Sequence, residues 1–141
     1  MRQRLSFGLT TTITAFLSID AVMHITNVSV VKKAMAELGY PEHLSLVIGA
    51  IELVVLALFV LRRTQLLGAV LLTGYFGGAI ATNLRVEKAL FSTVLFPIYV
   101  AIAAWVGLYL RDQQLQQLVR GMVKRTASSE TVLSTTKGVP A

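Results

Sequence analysis

Four apolar stretches dominate this chain, each near the roughly 20 residues that carry an α-helix across a bilayer core. The first runs about from Phe7 to Val30. The second is "LSLVIGAIELVVLALFVL", Leu44 to Leu61; the third is "QLLGAVLLTGYFGGAIATNL", Gln65 to Leu84. The fourth is "ALFSTVLFPIYVAIAAWVGLYL", Ala89 to Leu110. The second and third connections are very short, which forces antiparallel neighbours. The sequence therefore predicts an all-α integral membrane protein, a four-helix bundle running up-down-up-down. Composition agrees: 55% of the 141 residues are hydrophobic and 14% charged, where a soluble domain carries roughly 25% charged residues. The absence of cysteine excludes disulfides, thiolate metal sites and thiol-relay chemistry.

The basic start "MRQR" before an apolar run has the outline of a secretory signal. The run is too long for one, contains Asp20 and His24, and lacks a small-x-small cleavage pattern, so it is expected to be retained. Orientation follows the Lys and Arg count. Arg2, Arg4, Arg62, Arg63, Arg111, Arg120, Lys124, Arg125 and Lys137 fall on one side. Lys32, Lys33, Arg85 and Lys88 fall on the other, diluted by Glu37, Glu42 and Glu87. The bias puts both termini in the cytoplasm of an inner-membrane, multi-pass protein. The net charge of +6 sits beside apolar segments, so lipid headgroups are the expected partner, and no nucleic-acid motif accompanies it.

Between the first two spans, Val31, Ala34, Met35 and Leu38 recur at helical spacing, with Gly39 as a C-cap and Pro41 opening the next helix. This predicts a short amphipathic helix on the outer face, an interfacial turn or a lid. After Leu110, the stripe Leu115, Leu118, Val119 and Met122 predicts an amphipathic cytoplasmic extension of the fourth helix over 111–125. The transmembrane domain then occupies 1–126, and the small, polar residues 127–141 read as a disordered tail.

The polar residues are the functional signal. Asp20 and His24 are one helical turn apart on one face. Glu52 lies about eight residues into the second span, which puts both carboxylates roughly 12–15 Å below the outer edge. Asn83 and Arg85 end the third span; Ser92 and Thr93 begin the fourth. A charge in the membrane usually faces the interior and has a partner. If Asp20 and Glu52 face each other, one keeps a proton or a cation neutralises the pair. Two readings follow: a proton-linked or ligand-binding site, or a polar network that holds helix register. A divalent metal on Asp20, His24 and Glu52 is a third, but one helix supplies only two ligands and no HExxH or ExxH pattern exists. Gly74 and Gly78 form GxxxG, which favours tight packing within the bundle, with a dimer face or clearance for a flat ligand as alternatives. Tyr75 can offer its hydroxyl to the core, and Pro97 is expected to kink the fourth helix. No nucleophile elbow, phosphate loop or bis-histidine haem pattern is present, so no catalytic residue is assigned.

The segments "ELGYPEHL", "GAIELVVL", "LLTGYFGGAIATNLRV" and "LFPIYVAIAAWVGLYLRD" resemble the DoxX-like family of small four-helix membrane proteins, over about residues 9–112. In that family the position of Asn83 is often a His, so the asparagine here removes one titratable group and weakens the case for shared His-based chemistry. The family takes its name from a small subunit associated with thiosulfate:quinone oxidation. The resemblance therefore implies a quinone ligand or a redox-partner protein, with any electrons carried elsewhere. The sequence-level expectation is a membrane subunit, not an enzyme on its own, that binds a small quinone- or lipid-like molecule through Asp20, His24, Glu52, Tyr75, Asn83 and Arg85. The alternatives are a proton-coupled transporter and a quinone-linked oxidoreductase subunit.

Overall fold

A computed structural model describes residues 2–137, with side chains over 4–125. Six α-helices appear in it: α1 Arg2–Ile25, α2 Ser29–Glu37, α3 Leu44–Val60, α4 Gln65–Arg85, α5 Phe96–Arg111 and α6 Gln113–Lys137. A π-helical turn, Leu90–Val94, precedes α5. Three helical segments are long and apolar enough to cross a membrane: Arg4–Ile25, Gln65–Arg85 and Leu90–Arg111; Leu44–Val60 is a shorter apolar helix. Large apolar side chains cover the outside, with Phe7 and Phe91 each 74% exposed. Such a surface needs lipid around it.

The helices pack in a ring: α1 touches α3 and α5, and α4 touches α3 and α5. Leu17, Leu56, Phe59, Leu72 and Leu108 fill the middle. In lipid, helix association depends on close packing and interhelical hydrogen bonds more than on apolar burial, and the structure uses both. Gly68 lies against the Phe59 and Leu58 backbone, where an added Cβ would come within 2.2 Å of the Phe59 nitrogen. Gly49 packs against the Ala21 carbonyl, where a Cβ would meet oxygen at 2.8 Å. Ser6 donates to the Gly107 carbonyl at 2.9 Å, and Trp105 Nε1 donates to Thr73 Oγ1 at 2.9 Å. Arg111 donates to the Phe59 carbonyl at 2.8 Å, satisfying one of the orphan acceptors at the end of α3.

Four local features differ from the sequence expectations. First, α1 ends at Ile25 rather than running to Val30, because Asn27 takes a left-handed conformation (φ 50°) and the chain restarts as α2. Gly39 (φ 73°) then closes α2, with its own N–H and that of Tyr40 bonded to Ala36 and Met35. Second, Pro97 does not kink a continuous helix. It sits in the first turn of α5, where its missing N–H leaves no helical acceptor unsatisfied, and the π-helical turn absorbs the preceding chain. Third, the segment after α5 is a separate helix rather than an extension. Asp112 breaks the chain and caps α6, its Oδ1 accepting from the N–H groups of Gln114 and Leu115 at 2.9 and 3.1 Å. Its other oxygen accepts from Gln65 Nε2 at 2.6 Å, which ties the start of α4 to this corner. Fourth, α6 carries helical backbone into the segment read as a tail, as far as Lys137; 138–141 lie outside the described residues. A helix already nucleated propagates until a breaker, and the next breakers in the sequence are Gly138 and Pro140.

The GxxxG of α4 also departs from expectation. A Cβ added at Gly74, Gly77 or Gly78 would meet nothing within 4 Å, so these glycines do not serve packing within the chain. Gly68→Ala is therefore expected to destabilise the protein by about 3 kcal/mol, the upper end of overpacking. Gly77→Ala is expected to be neutral or to stabilise by about 0.5–1 kcal/mol through helix propensity. Thermal unfolding in detergent checks both.

Candidate functional site

The open face of Gly74 and Gly78 belongs to a cavity of about 530 Å³ at the end of the molecule that carries α2. Each wall comes from a different element. Phe16, Asp20 and His24 line it from one face of α1, at spacings of four residues. Ile48 and Glu52 come from α3, Tyr75, Ala79, Thr82 and Asn83 from α4, and Ser92, Thr93 and Phe96 from the turn into α5. Met35, Leu38 and Tyr40 close it from α2 and its C-terminal turn. Phe16 and Phe96 meet edge to face, their ring centres 5.6 Å apart.

Glu52 is the deepest polar group. It is fully buried and lies near the middle of α3, about two turns from the start of that helix, as its place in the sequence implies. One carboxylate oxygen, Oε2, accepts from the Tyr75 hydroxyl at 3.0 Å. The other, Oε1, is buried with no hydrogen-bond partner within 3.5 Å, and the Asp20 carboxyl is its polar neighbour. Asp20 lies close enough for its charge to act on Glu52, and it is far more open, with 43% of its side chain exposed. His24 sits one turn nearer α2. Its Nε2 is 3.9 Å from Asp20 Oδ2, and its Nδ1 is 3.2 Å from Ser45 Oγ. Ser45 in turn donates to the His24 backbone carbonyl at 2.8 Å, fixing α1 against the start of α3. The His24 ring therefore lies between the Ser45 hydroxyl and the Asp20 carboxylate.

Five of the six side chains singled out in the sequence line the cavity: Asp20, His24, Glu52, Tyr75 and Asn83. Arg85 does not. Its guanidinium bonds to the Leu38 carbonyl at the end of α2, beside Gly39. There it caps a helix C-terminus, where a cation is favoured. Asn83 spends its amide on the Ala79 carbonyl one turn back, at 2.8 Å. Sequence reasoning missed Ser45, Tyr40 and Thr82. The Tyr40 hydroxyl and Thr82 Oγ1 are 3.1 Å apart and bridge the α2 turn to α4. Phe16 carried a signal, four residues before Asp20 on the same helical face; Tyr40 and Thr82 are joined only by the tertiary fold. Among the described residues no group of three or more His, Asp or Glu side chains comes together as a metal site. Asp20, His24 and Glu52 thus share one cavity without forming a three-ligand set.

The α2 cover packs through the buried side chains of Val31 and Met35, and exposed ion pairs border it. Lys88 bonds to Glu37, and Lys32 lies 3.5 Å from Glu42. The hydrogen bond from Lys88, then its charge and to a smaller degree that of Lys33, hold the Glu37 carboxyl below the usual carboxylate range, against a small opposing effect of burial. A depressed carboxylate pKa supports the fold above its ordinary value and loses that support as pH falls through the lowered value. Hydrogen exchange at the α2 amides is therefore expected to lose protection in acid, and Glu37→Gln to flatten that dependence. Deeper in the site, Tyr75→Phe leaves both Glu52 oxygens without a partner. It is expected to lower stability by about 1–2 kcal/mol, as for intramembrane hydrogen bonds, measured by denaturant titration in micelles.

Neither a curated protein nor a solved structure matches this sequence. The sequence profile of the DoxX-like family matches residues 8–107, which include the residues named above from α1 to α5 that build the cavity. The chain is an all-α membrane protein and belongs to the DoxX-like family.

Proposed function

We propose that the protein is a multi-pass inner-membrane protein that binds a small amphipathic molecule in the cavity beneath α2. It acts as a membrane subunit rather than as an enzyme on its own. The observation that carries this reading is the free oxygen of Glu52: a fully buried acceptor without a partner in the wall of a cavity. Leaving such a group unsatisfied is expensive, and a ligand donor would satisfy it. Asp20 and Glu52 accept hydrogen bonds from the ligand, His24 orients Asp20, and Tyr75 holds Glu52. Gly74 and Gly78 give a flat ring clearance along α4, a use their open surroundings favour over a dimer face.

The topology proposed is the four-helix, up-down-up-down bundle of α1, α3, α4 and α5, with both termini cytoplasmic. Contacts of opposite chain order support it: Ser6 with Gly107 against Phe16 with Phe96, and Gly68 with Phe59 against Tyr75 with Glu52. The Lys and Arg bias favours the orientation. A quinone-type ring suits the aromatic walls and the glycine clearance. The deep end offers mainly acceptors, so it fits the hydroxyls of a reduced ring better than the carbonyls of an oxidised one. A second reading, proton-coupled transport, draws on the place of Glu52 near the middle of its helix, where transporter sites lie; loss of transport in Glu52→Gln would favour it.

Mass spectrometry of molecules retained through gentle detergent purification tests the proposal. Wild type is expected to carry a lipid- or quinol-like molecule that Glu52→Gln and Asp20→Asn lose. A recurrent redox protein without any small molecule would point to a subunit role alone. Nothing retained, with both variants only less heat-stable, would reduce Asp20, His24 and Glu52 to interhelical glue.

A further inference from the structure

The chain is basic, with a net charge of +6, yet its cavity has the opposite character. The lining contains two carboxylates, Asp20 and Glu52, and no Lys or Arg. Two other acids at this end pair with lysines, Glu37 with Lys88 and Glu42 with Lys32. Among the described residues no Lys or Arg pairs with Asp20 or Glu52; the ionic neighbour of Asp20 is His24, at a loose 3.9 Å. Even Arg85, which the sequence offered as a cation for the site, is spent on the Leu38 carbonyl. Two neighbouring acids in a low-dielectric wall share a proton unless a cation neutralises the pair, so a positive ligand takes the place of that proton.

The walls fit the same conclusion. Phe16 and Phe96 meet edge to face, and Tyr75 and Phe76 have ring centres 5.9 Å apart. All four line the cavity with the two carboxylates. Aromatic faces around a desolvated cation attract it through their quadrupoles, most strongly when water is excluded. The open side along Gly74 and Gly78 leaves width for bulky apolar substituents. We infer that the cavity selects lipophilic organic cations, molecules with a quaternary or protonated centre inside aromatic or aliphatic groups, and places the charge between Asp20 and Glu52. This rests on the reading of the cavity as a ligand site and sets a cation against the neutral quinol as the class of ligand the cavity prefers.

The test is equilibrium binding to the full-length protein in detergent. Radiolabelled tetraphenylphosphonium serves as the cation and triphenylphosphine oxide as a neutral aromatic counterpart. Two variants separate charge from space. Glu52→Gln keeps the shape and an acceptor for Tyr75, and Gly74→Leu fills the cavity from a position with open surroundings. Wild type is expected to bind the cation saturably and the neutral compound at least about tenfold more weakly, a gap of about 1.4 kcal/mol. Glu52→Gln is expected to close most of that gap, and Gly74→Leu to abolish binding with an unchanged unfolding temperature. Equal binding of both compounds, or a cation affinity untouched by Glu52→Gln, overturns the cation assignment. If Gly74→Leu still blocks both, the cavity stands as a ligand site for neutral molecules. If neither compound binds wild type, or Gly74→Leu changes nothing, the cation assignment falls, and the binding reading falls with it only where no lipid- or quinol-like molecule is retained through purification.

Discussion

A carboxylate in the middle of an apolar helix has to be reconciled with its surroundings before the rest of the helix can pack. Here the Tyr75 hydroxyl meets one oxygen of Glu52 from the neighbouring helix. That bond joins α3 to α4 at half height, and the close backbone approach at Gly68 joins them at one end. Between these two points the register of the pair is set. The other oxygen of Glu52 stays buried without a hydrogen-bond partner, in a residue that lines the cavity. One side chain thus ties the helices together and leaves a demand that the protein alone does not meet.

The remaining elements are arranged around that demand. α1 brings Asp20 and His24 along one face, and Ser45 fixes the His24 turn against α3. The break at Asn27 turns the chain so that α2 lies over the opening, with Gly39 and Arg85 finishing its C-terminus. The π-helical turn before Pro97 brings Ser92, Thr93 and Phe96 to the cavity wall. π-helical turns are often found at functional sites. At the opposite end the contacts are of a different kind. Asp112 caps α6 and holds Gln65, and Arg111 covers the end of α3. Those interactions close the helix ends.

Much of this was legible in the residues. Hydropathy located the apolar helices, and the spacing of Asp20 and His24 placed them on one face, because helical periodicity is local. Convergence of the polar residues towards one end was also legible, since each lay at a similar distance from a connection. What could not be read was which side chains meet. Arg85 followed the rule that cations serve a site, but a nearer acceptor, the carbonyl at the end of α2, claimed it. The GxxxG of α4 has the pattern of a packing motif, yet packing falls to Gly49 and Gly68, which face backbone, while Gly74 and Gly78 face space. Pattern alone gives the small residue, not the neighbour. The breaks at Asn27 and Asp112 depend on single residues whose local conformations outweigh the apolar periodicity around them.

The central claim is that a polar, ligand-accessible cavity descends from the α2 end to Glu52. It can be tested directly because the chain has no cysteine of its own. Single cysteines at Gly74, in the cavity wall, and at Ile19, which is 62% exposed on the outside beside Asp20, lie at similar depth. In proteoliposomes, a small cationic methanethiosulfonate added from the α2 side cannot enter hydrocarbon readily. Fast modification of Gly74→Cys with Ile19→Cys left unmodified is the expected result. Equal and slow modification of both would mean that the cavity is closed to solutes, and would contradict the account.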